Sequence, residues 1–162
     1  MRYHCDDTIA AISTPAGAGG IGIIRISGDA AIEKSNKIFK SIKKRATEEN
    51  AVARMSSHTI KYGYVVDPDT DEIIDECLIS VMKGPHSYTK EDIVEINSHG
   101  GYAVMREILS ILFKMGIRPA EPGEFTKRAF LNGRIDLSKA EAVMDIINAR
   151  TDAGRKTAAG QL

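Results

Sequence analysis

The chain lacks most of the features that mark secreted and membrane-spanning proteins. It has two cysteines, Cys5 and Cys77, which are too few and too far apart for a disulfide framework or a zinc site of paired cysteines. It contains no run of about 18 apolar residues that could cross a bilayer. Its first residues have no apolar core of the kind found in signal peptides. We therefore expect a cytoplasmic protein with no membrane partner.

Net charge is also lacking, since 22 basic residues balance 22 acidic ones. No overall field draws such a molecule to nucleic acid or to an anionic membrane. Any contact with RNA would have to be local or shared with a partner. The 162 residues are enough to bury a sizeable core and predict one domain with a smaller appendage.

Several catalytic motifs are missing as well. His99-Gly100-Gly101 is typical of the oxyanion loops of esterases, but the chain has no G-x-S-x-G nucleophile motif to accompany it. The four histidines show no spacing that would place two of them on one helix face beside a carboxylate. No strong general base or nucleophile is evident. We predict neither a catalytic residue nor a metal site.

What the sequence does have is a glycine-rich tract at residues 17–22 that satisfies G-x-G-x-x-G. A dinucleotide site requires this motif to open a helix, whereas here the strand-like residues 22–27 follow it. The tract therefore connects two predicted strands, residues 8–13 and 22–27. Two interpretations stay open: a wide hairpin connection, or backbone without Cβ atoms that a flat ligand or a second chain approaches closely.

Apolar periodicity predicts the elements that follow. We expect a helix from about residue 29 to 45 capped by Asp29, and a loop over residues 47–57. A hairpin of residues 59–66 and 72–82 should turn at residues 68–71, and a strand is expected at residues 92–98. A helix should then open at residues 99–101 and end at Gly116.

The last third of the chain is predicted to be helical. Residues 117–123 form a proline-bracketed connector that should end the sheet domain, and residues 124–133 a short helix with a glycine stop. Arg134 leads into a long helix in which Ser138 and Glu141 have capping-box spacing. Its apolar stripe has no further element to pack against, so we expect the chain to be part of something larger.

Five separated motifs, in order, resemble the amino-terminal region of the MnmE (TrmE) family of tRNA-modification GTPases. The motifs are residues 13–15 with 19–28, residues 88–92, residues 99–101, residues 122–126, and residues 128–142. The resemblance implies an α+β fold, with a mixed sheet packed with helices, similar to the tetrahydrofolate-binding domain of aminomethyltransferases. It implies a folate-binding and dimerisation domain over residues 1–121 and the start of a helical domain over residues 122–162.

The resemblance further implies what the module binds and with what it works. The ligand would be 5-formyl- or 5,10-methylene-tetrahydrofolate, a one-carbon donor, and the module would form a homodimer. The whole protein would act with the FAD-dependent partner MnmG on the wobble uridine of tRNA. This chain has no G-x-x-x-x-G-K-[ST] motif, so GTP, with Mg and K, would belong to a GTPase domain outside it. The chain alone should not hydrolyse GTP.

The family's folate contacts correspond to Arg25, Glu95 and Arg134. A carboxylate such as Glu95 suits the paired N–H donors of a pterin, and a guanidinium suits a ring carbonyl or the carboxylates of a folate tail. From the residues alone, Glu95 could equally be an exposed strand carboxylate, Arg25 a strand arginine paired with a nearby acid, and Arg134 a helix-entry cation. If Val94 and Ile96 face the core, Glu95 faces the other side of the sheet.

Three functions remain open at this point. The first is a folate-binding, dimer-forming module of a GTP-dependent tRNA-modifying enzyme. The second is a stand-alone enzyme similar to aminomethyltransferases, and the third is a purely architectural dimerisation module whose folate pocket has decayed. The joint presence of the three site residues counts against the third.

Overall fold

The computed structural model describes residues 7–15, 19–42 and 50–148. In this part of the chain, seven strands form one mixed sheet in the order β3-β4-β5-β6-β2-β1-β7. The strands are β1 (Ile9–Ile12), β2 (Gly22–Ser27), β3 (Phe39–Ser41), β4 (Thr59–Val66), β5 (Ile73–Met82), β6 (Ile93–Ser98) and β7 (Arg118–Pro119). The helices are α1 (Ala31–Ile38), α2 (Tyr102–Lys114), α3 (Glu124–Leu131) and α4 (Leu137–Asn148). The α+β prediction is confirmed.

Alternation along the strands divides the sheet into two faces. One face packs against α1 and α2, and their buried residues share a cluster with Ile24, Ile26, Ile79, Val94 and Ile96. Residues between these, including Arg25 and Glu95, project from the other face. The expected orientation of Glu95 relative to Val94 and Ile96 is therefore confirmed.

The glycine-rich tract does connect two antiparallel strands, since β1 pairs with β2 from Ile9↔Ser27 to Ile12↔Ile24. Residues 16–18, within that tract, lie outside the described residues. The hairpin of β4 and β5 is also confirmed, and its turn is closed by the Asp67 N–H, which donates to the Glu72 carbonyl at 2.9 Å.

The first helix is shorter than predicted. It ends at Ile38, and Phe39 is extended and pairs with Val65, so Phe39–Ser41 form an edge strand of the sheet. Phe39 is buried in that strand. A buried apolar residue at this position also fits the apolar pattern of the preceding helix, so the sequence predicted a longer helix. The cap also differs: Ala30 rather than Asp29 is the capping residue, and the helix has no side-chain cap. Residues 43–49 lie outside the described residues.

The proline-bracketed connector contributes a strand to the sheet, because β7 pairs in parallel with β1 and the Arg118 N–H donates to the Thr8 carbonyl. The predicted cap of the long helix was wrong. The long helix begins at Leu137, so its capping side chain is Asp136, whose Oδ1 accepts the Lys139 N–H at 2.8 Å. Ser138 lies inside the helix and cannot cap it. The division at residue 121 stays a prediction.

No helix in the described part of the chain is long and apolar enough to cross a membrane. Within the same residues, no three histidine, cysteine or acidic side chains lie close enough together to hold a metal ion.

Candidate folate site

Arg25 and Glu95 face each other across two neighbouring strands. They are direct partners in the antiparallel register of β2 and β6, and Arg25 Nε donates to Glu95 Oε1 at 2.8 Å. The Arg25 side chain is 30% exposed and that of Glu95 20% exposed. An ion pair of this kind, half-buried on an open sheet face, is accessible to a ligand.

Two aromatic rings lie beside this pair. The Arg25 guanidinium carbon is 5.8 Å from the centre of the Tyr88 ring and 5.5 Å from that of Phe125. The Tyr88 hydroxyl is 3.0 Å from Thr126 Oγ1, so the loop before β6 is bonded to α3. Cations at such distances from a ring are held by its negative face.

Arg134 contacts the same ring. Its guanidinium carbon lies 5.1 Å from the centre of the Tyr88 ring. It follows Gly133, which ends α3 in a left-handed conformation with φ of 67°, and its N–H donates to the Ala129 carbonyl. The structure thus brings Arg25 and Glu95 into direct contact and joins Arg134 to them through Tyr88.

A buried network of charges supports the elements that carry these residues. Arg128 of α3 is only 1% exposed, and its guanidinium donates to Asp7, Glu91 and Glu124. Glu91 also accepts the Ser27 hydroxyl at 2.7 Å, which links the network to β2. A buried guanidinium requires such partners because desolvation of an unpaired charge is costly.

The same network perturbs its acidic members. Burial works to raise the pKa of Glu124, but hydrogen bonds from Arg118, the Glu121 N–H and Arg128 prevail and hold that pKa at about 2. The pKa of Asp7 is also lowered, because Arg118 and Arg128 outweigh its partial burial. Both carboxylates are therefore charged at neutral pH.

Arg134 also lines a cavity of about 370 Å³. Its other walls come from the segment before β4 and the loop after β5, including His58, His86, Ser87 and Tyr88. Arg25 and Glu95 do not line this cavity, but Tyr88 both lines it and contacts Arg25, so this ring joins the two parts of the site.

A second surface forms where the glycine-rich tract meets the start of α2. A cavity of about 900 Å³ lies between them, with Ile12, Ile21 and Tyr102 exposed at its walls. A Cβ atom on Gly100 would lie 2.3 Å from the Gly19 carbonyl oxygen. Glycine at position 100 therefore allows the two backbones to pack closely.

His99, next to this surface, pairs with Asp75 of β5. Its ring Nδ1 is 2.8 Å from Asp75 Oδ1, and its N–H donates to Asp75 Oδ2. This hydrogen bond raises the pKa of His99 above its usual value. The pair ties the turn between β6 and α2 to the neighbouring strand β5, so His99 has a structural partner.

Sequence reasoning missed Tyr88, Phe125 and Arg128 as parts of this region. All three lie inside the five motifs, but nothing in their spacing showed that Tyr88 would contact two arginines or that Arg128 would be buried. A cation–π contact joins residues far apart in sequence, so only the fold reveals it.

The sequence matches the family model described as "GTP-binding protein TrmE N-terminus" over residues 8–134. The chain belongs to this family. It is 54% identical over 159 residues to the tRNA modification GTPase MnmE of Alkaliphilus oremlandii, which covers 98% of this chain and 33% of that protein. It is 58% identical over 156 residues to the protein of the same name from Thermoanaerobacter pseudethanolicus, covering 96% of this chain and 33% of that one.

The chain thus spans about a third of the length of the curated relatives that it matches. The matched region of the TrmE family includes all three predicted site residues, Arg25, Glu95 and Arg134. The resemblance found from the five motifs is confirmed.

Proposed function

We propose that this chain is the folate-binding and dimerisation module of a tRNA-modifying GTPase. In this proposal it binds 5-formyl- or 5,10-methylene-tetrahydrofolate on the open sheet face. The observation that carries the proposal is the half-buried Arg25–Glu95 pair, with Tyr88 and Arg134 beside it. The module positions a one-carbon donor and does no bond chemistry alone.

The residues present are suited to a reduced pterin. Only one oxygen of Glu95 accepts Arg25 Nε, and a carboxylate has about four lone-pair sites, so the adjacent donors of a pterin can still be accepted. Within the described part of the chain, the terminal amino groups of Arg25 have no hydrogen-bond partner, which leaves them for a ring carbonyl. Tyr88 and Phe125 supply apolar surface for a flat ring.

The wider role follows from the names of the relatives, which are tRNA modification GTPases. We propose that the whole protein acts in the carboxymethylaminomethyl-uridine pathway at the tRNA wobble position, together with MnmG. GTP, Mg and K would then bind in the part of the protein beyond this chain. The bound folate would supply the one-carbon unit.

We also propose a homodimer formed through the glycine-rich tract. Support comes from the apolar walls of the 900 Å³ cavity, where Ile21 and Tyr102 are exposed. Exposed apolar surface of this kind is typical of protein contacts. The close packing of Gly100 against Gly19 holds this surface together.

Calorimetric titration with 5-formyl-tetrahydrofolate tests the ligand. We expect the parent to bind and Glu95→Gln to bind about tenfold or more weakly, because an amide cannot accept both pterin donors as a carboxylate does. Glu107→Gln, an exposed glutamate of α2 on the opposite face, is the matched control and should bind as the parent does.

Equal affinities of the parent and Glu95→Gln would remove Glu95 from the site, provided circular dichroism shows both folded. Turnover of methylene-tetrahydrofolate by the isolated chain would instead favour the aminomethyltransferase-like enzyme.

A further inference from the structure

The cavity beside Arg134 has the chemistry of an anion-binding site. Arg134, His58 and His86 each offer hydrogen-bond donors to it, and none of the described residues that line it is aspartate or glutamate. Its volume of about 370 Å³ is within the range of small-molecule pockets.

The cavity adjoins the Arg25–Glu95 pair through a single ring. Tyr88 lines the cavity and also contacts both the Arg25 and Arg134 guanidinium groups. A ligand whose head lies at Glu95 and whose tail passes Tyr88 can therefore place that tail in the cavity, which Arg134 and the two histidines line.

His58 is held in place for such a contact. Its backbone has a left-handed φ of 61°, and its N–H donates to the Val81 carbonyl at 2.7 Å. Ser57 Oγ accepts the Lys83 N–H and lies 2.9 Å from His58 Nδ1, so its hydroxyl proton is available to Nδ1. That arrangement favours the tautomer with its proton on Nε2, which has no partner among the described residues and can donate to a ligand.

We propose that this cavity binds the glutamyl carboxylates of the folate tail and gives the protein a preference for polyglutamylated folates. The inference rests on the proposed function. The first tail carboxylate pairs with Arg134, and further γ-linked glutamates bring carboxylates to His58 and His86. Charged hydrogen bonds of this sort are partly solvated and individually modest.

The test compares mono- and triglutamyl 5-formyl-tetrahydrofolate by calorimetry. The parent should bind the triglutamyl form about fivefold more tightly, and this gain should shrink as salt is raised. The double variant His58→Ala/His86→Ala should bind the monoglutamyl form as the parent does but should no longer bind the triglutamyl form more tightly. The control Lys114→Ala, which removes an exposed cation at the end of α2, should keep the parent's preference for the triglutamyl form.

Equal affinity of the parent for the two forms would overturn the inference and leave the proposed function intact. An equal loss of affinity for the two forms in the double variant would also overturn the inference, because the histidines would then contact the head of the ligand or stabilise the fold. If neither the monoglutamyl nor the triglutamyl form binds, the proposed function itself is overturned. If the double variant does not fold, the two-ligand comparison on the parent and its salt dependence still decide the matter.

Discussion

At the scale of single residues, the site depends on charges that are far apart in sequence and adjacent in the fold. Arg25 and Glu95 were predicted by resemblance, and the register of two strands explains why they meet. The Arg128 network could not be predicted, because its members are spread from Asp7 to Arg128 and look like ordinary surface charges in the sequence. In the fold, these side chains form one network around the buried Arg128 guanidinium.

Glu124 should make the stability of the fold sensitive to acid. Its pKa in the folded chain is about 2, against an ordinary value of 4.5. Because the folded pKa is lowered, the stabilisation is fully present above about pH 4.5 and is lost as the pH falls through 2. For a side chain that is 8% exposed, this corresponds to about 3 kcal/mol at neutral pH.

The measurement is urea unfolding of the parent and Glu124→Gln between pH 7 and pH 3. We expect the variant to be less stable at pH 7 and the difference to shrink by about half by pH 3. A difference that stays constant over this range would show that the charge of Glu124 does not stabilise the fold.

At the scale of elements, long periodic segments were predictable and short edge strands were not. The stripe of α2 and the alternation of β4 and β5 repeat often enough to identify them. Phe39–Ser41 and Arg118–Pro119 become strands only because β4 and β1 offer them an edge. A strand of two or three residues is too short to show a hydrophobic repeat in the sequence, so its pairing with a neighbouring strand decides its conformation.

Two adjacent glycines at the start of α2 should differ in their tolerance of a side chain. A Cβ on Gly100 would lie 2.3 Å from the Gly19 carbonyl oxygen, whereas one on Gly101 has no atom within 4 Å. Gly100→Ala should therefore lower the free energy of unfolding by about 1–3 kcal/mol. Gly101→Ala, at the capping position where φ is −68°, should change it by less than about 1 kcal/mol, because the weaker cap is offset by the lower entropy of the unfolded chain.

Chemical unfolding of both variants measures this contrast. Equal stabilities would mean that the glycine-rich tract does not pack on residue 100 in solution.

At the scale of the whole molecule, the sheet has one face buried by helices and one that carries the candidate site. The proposed dimer places a second copy at the rim, at the glycine-rich tract, so the site face stays open to ligand. The resemblance implied both functions, and the two sites proposed for them lie on different surfaces of the fold.

Ile21→Glu should separate dimerisation from folding. Ile21 is 67% exposed, so a charge there costs the monomer little but opposes burial in a dimer contact. Light scattering should show a dimer for the parent and a monomer for the variant. The control Ile73→Glu, at a position 59% exposed on the β4–β5 hairpin, should remain dimeric. A parent that is monomeric at high micromolar concentration would contradict the proposed dimer.

The most direct test of folate binding at Arg25, Glu95 and Arg134 is a crystal structure of the protein with 5-formyl-tetrahydrofolate. We expect the pterin to lie on the open sheet face, with its ring donors on Glu95, Arg25 at its edge and its tail directed past Tyr88 to Arg134. A ligand bound elsewhere, with none of Arg25, Glu95 and Arg134 in contact, would contradict it.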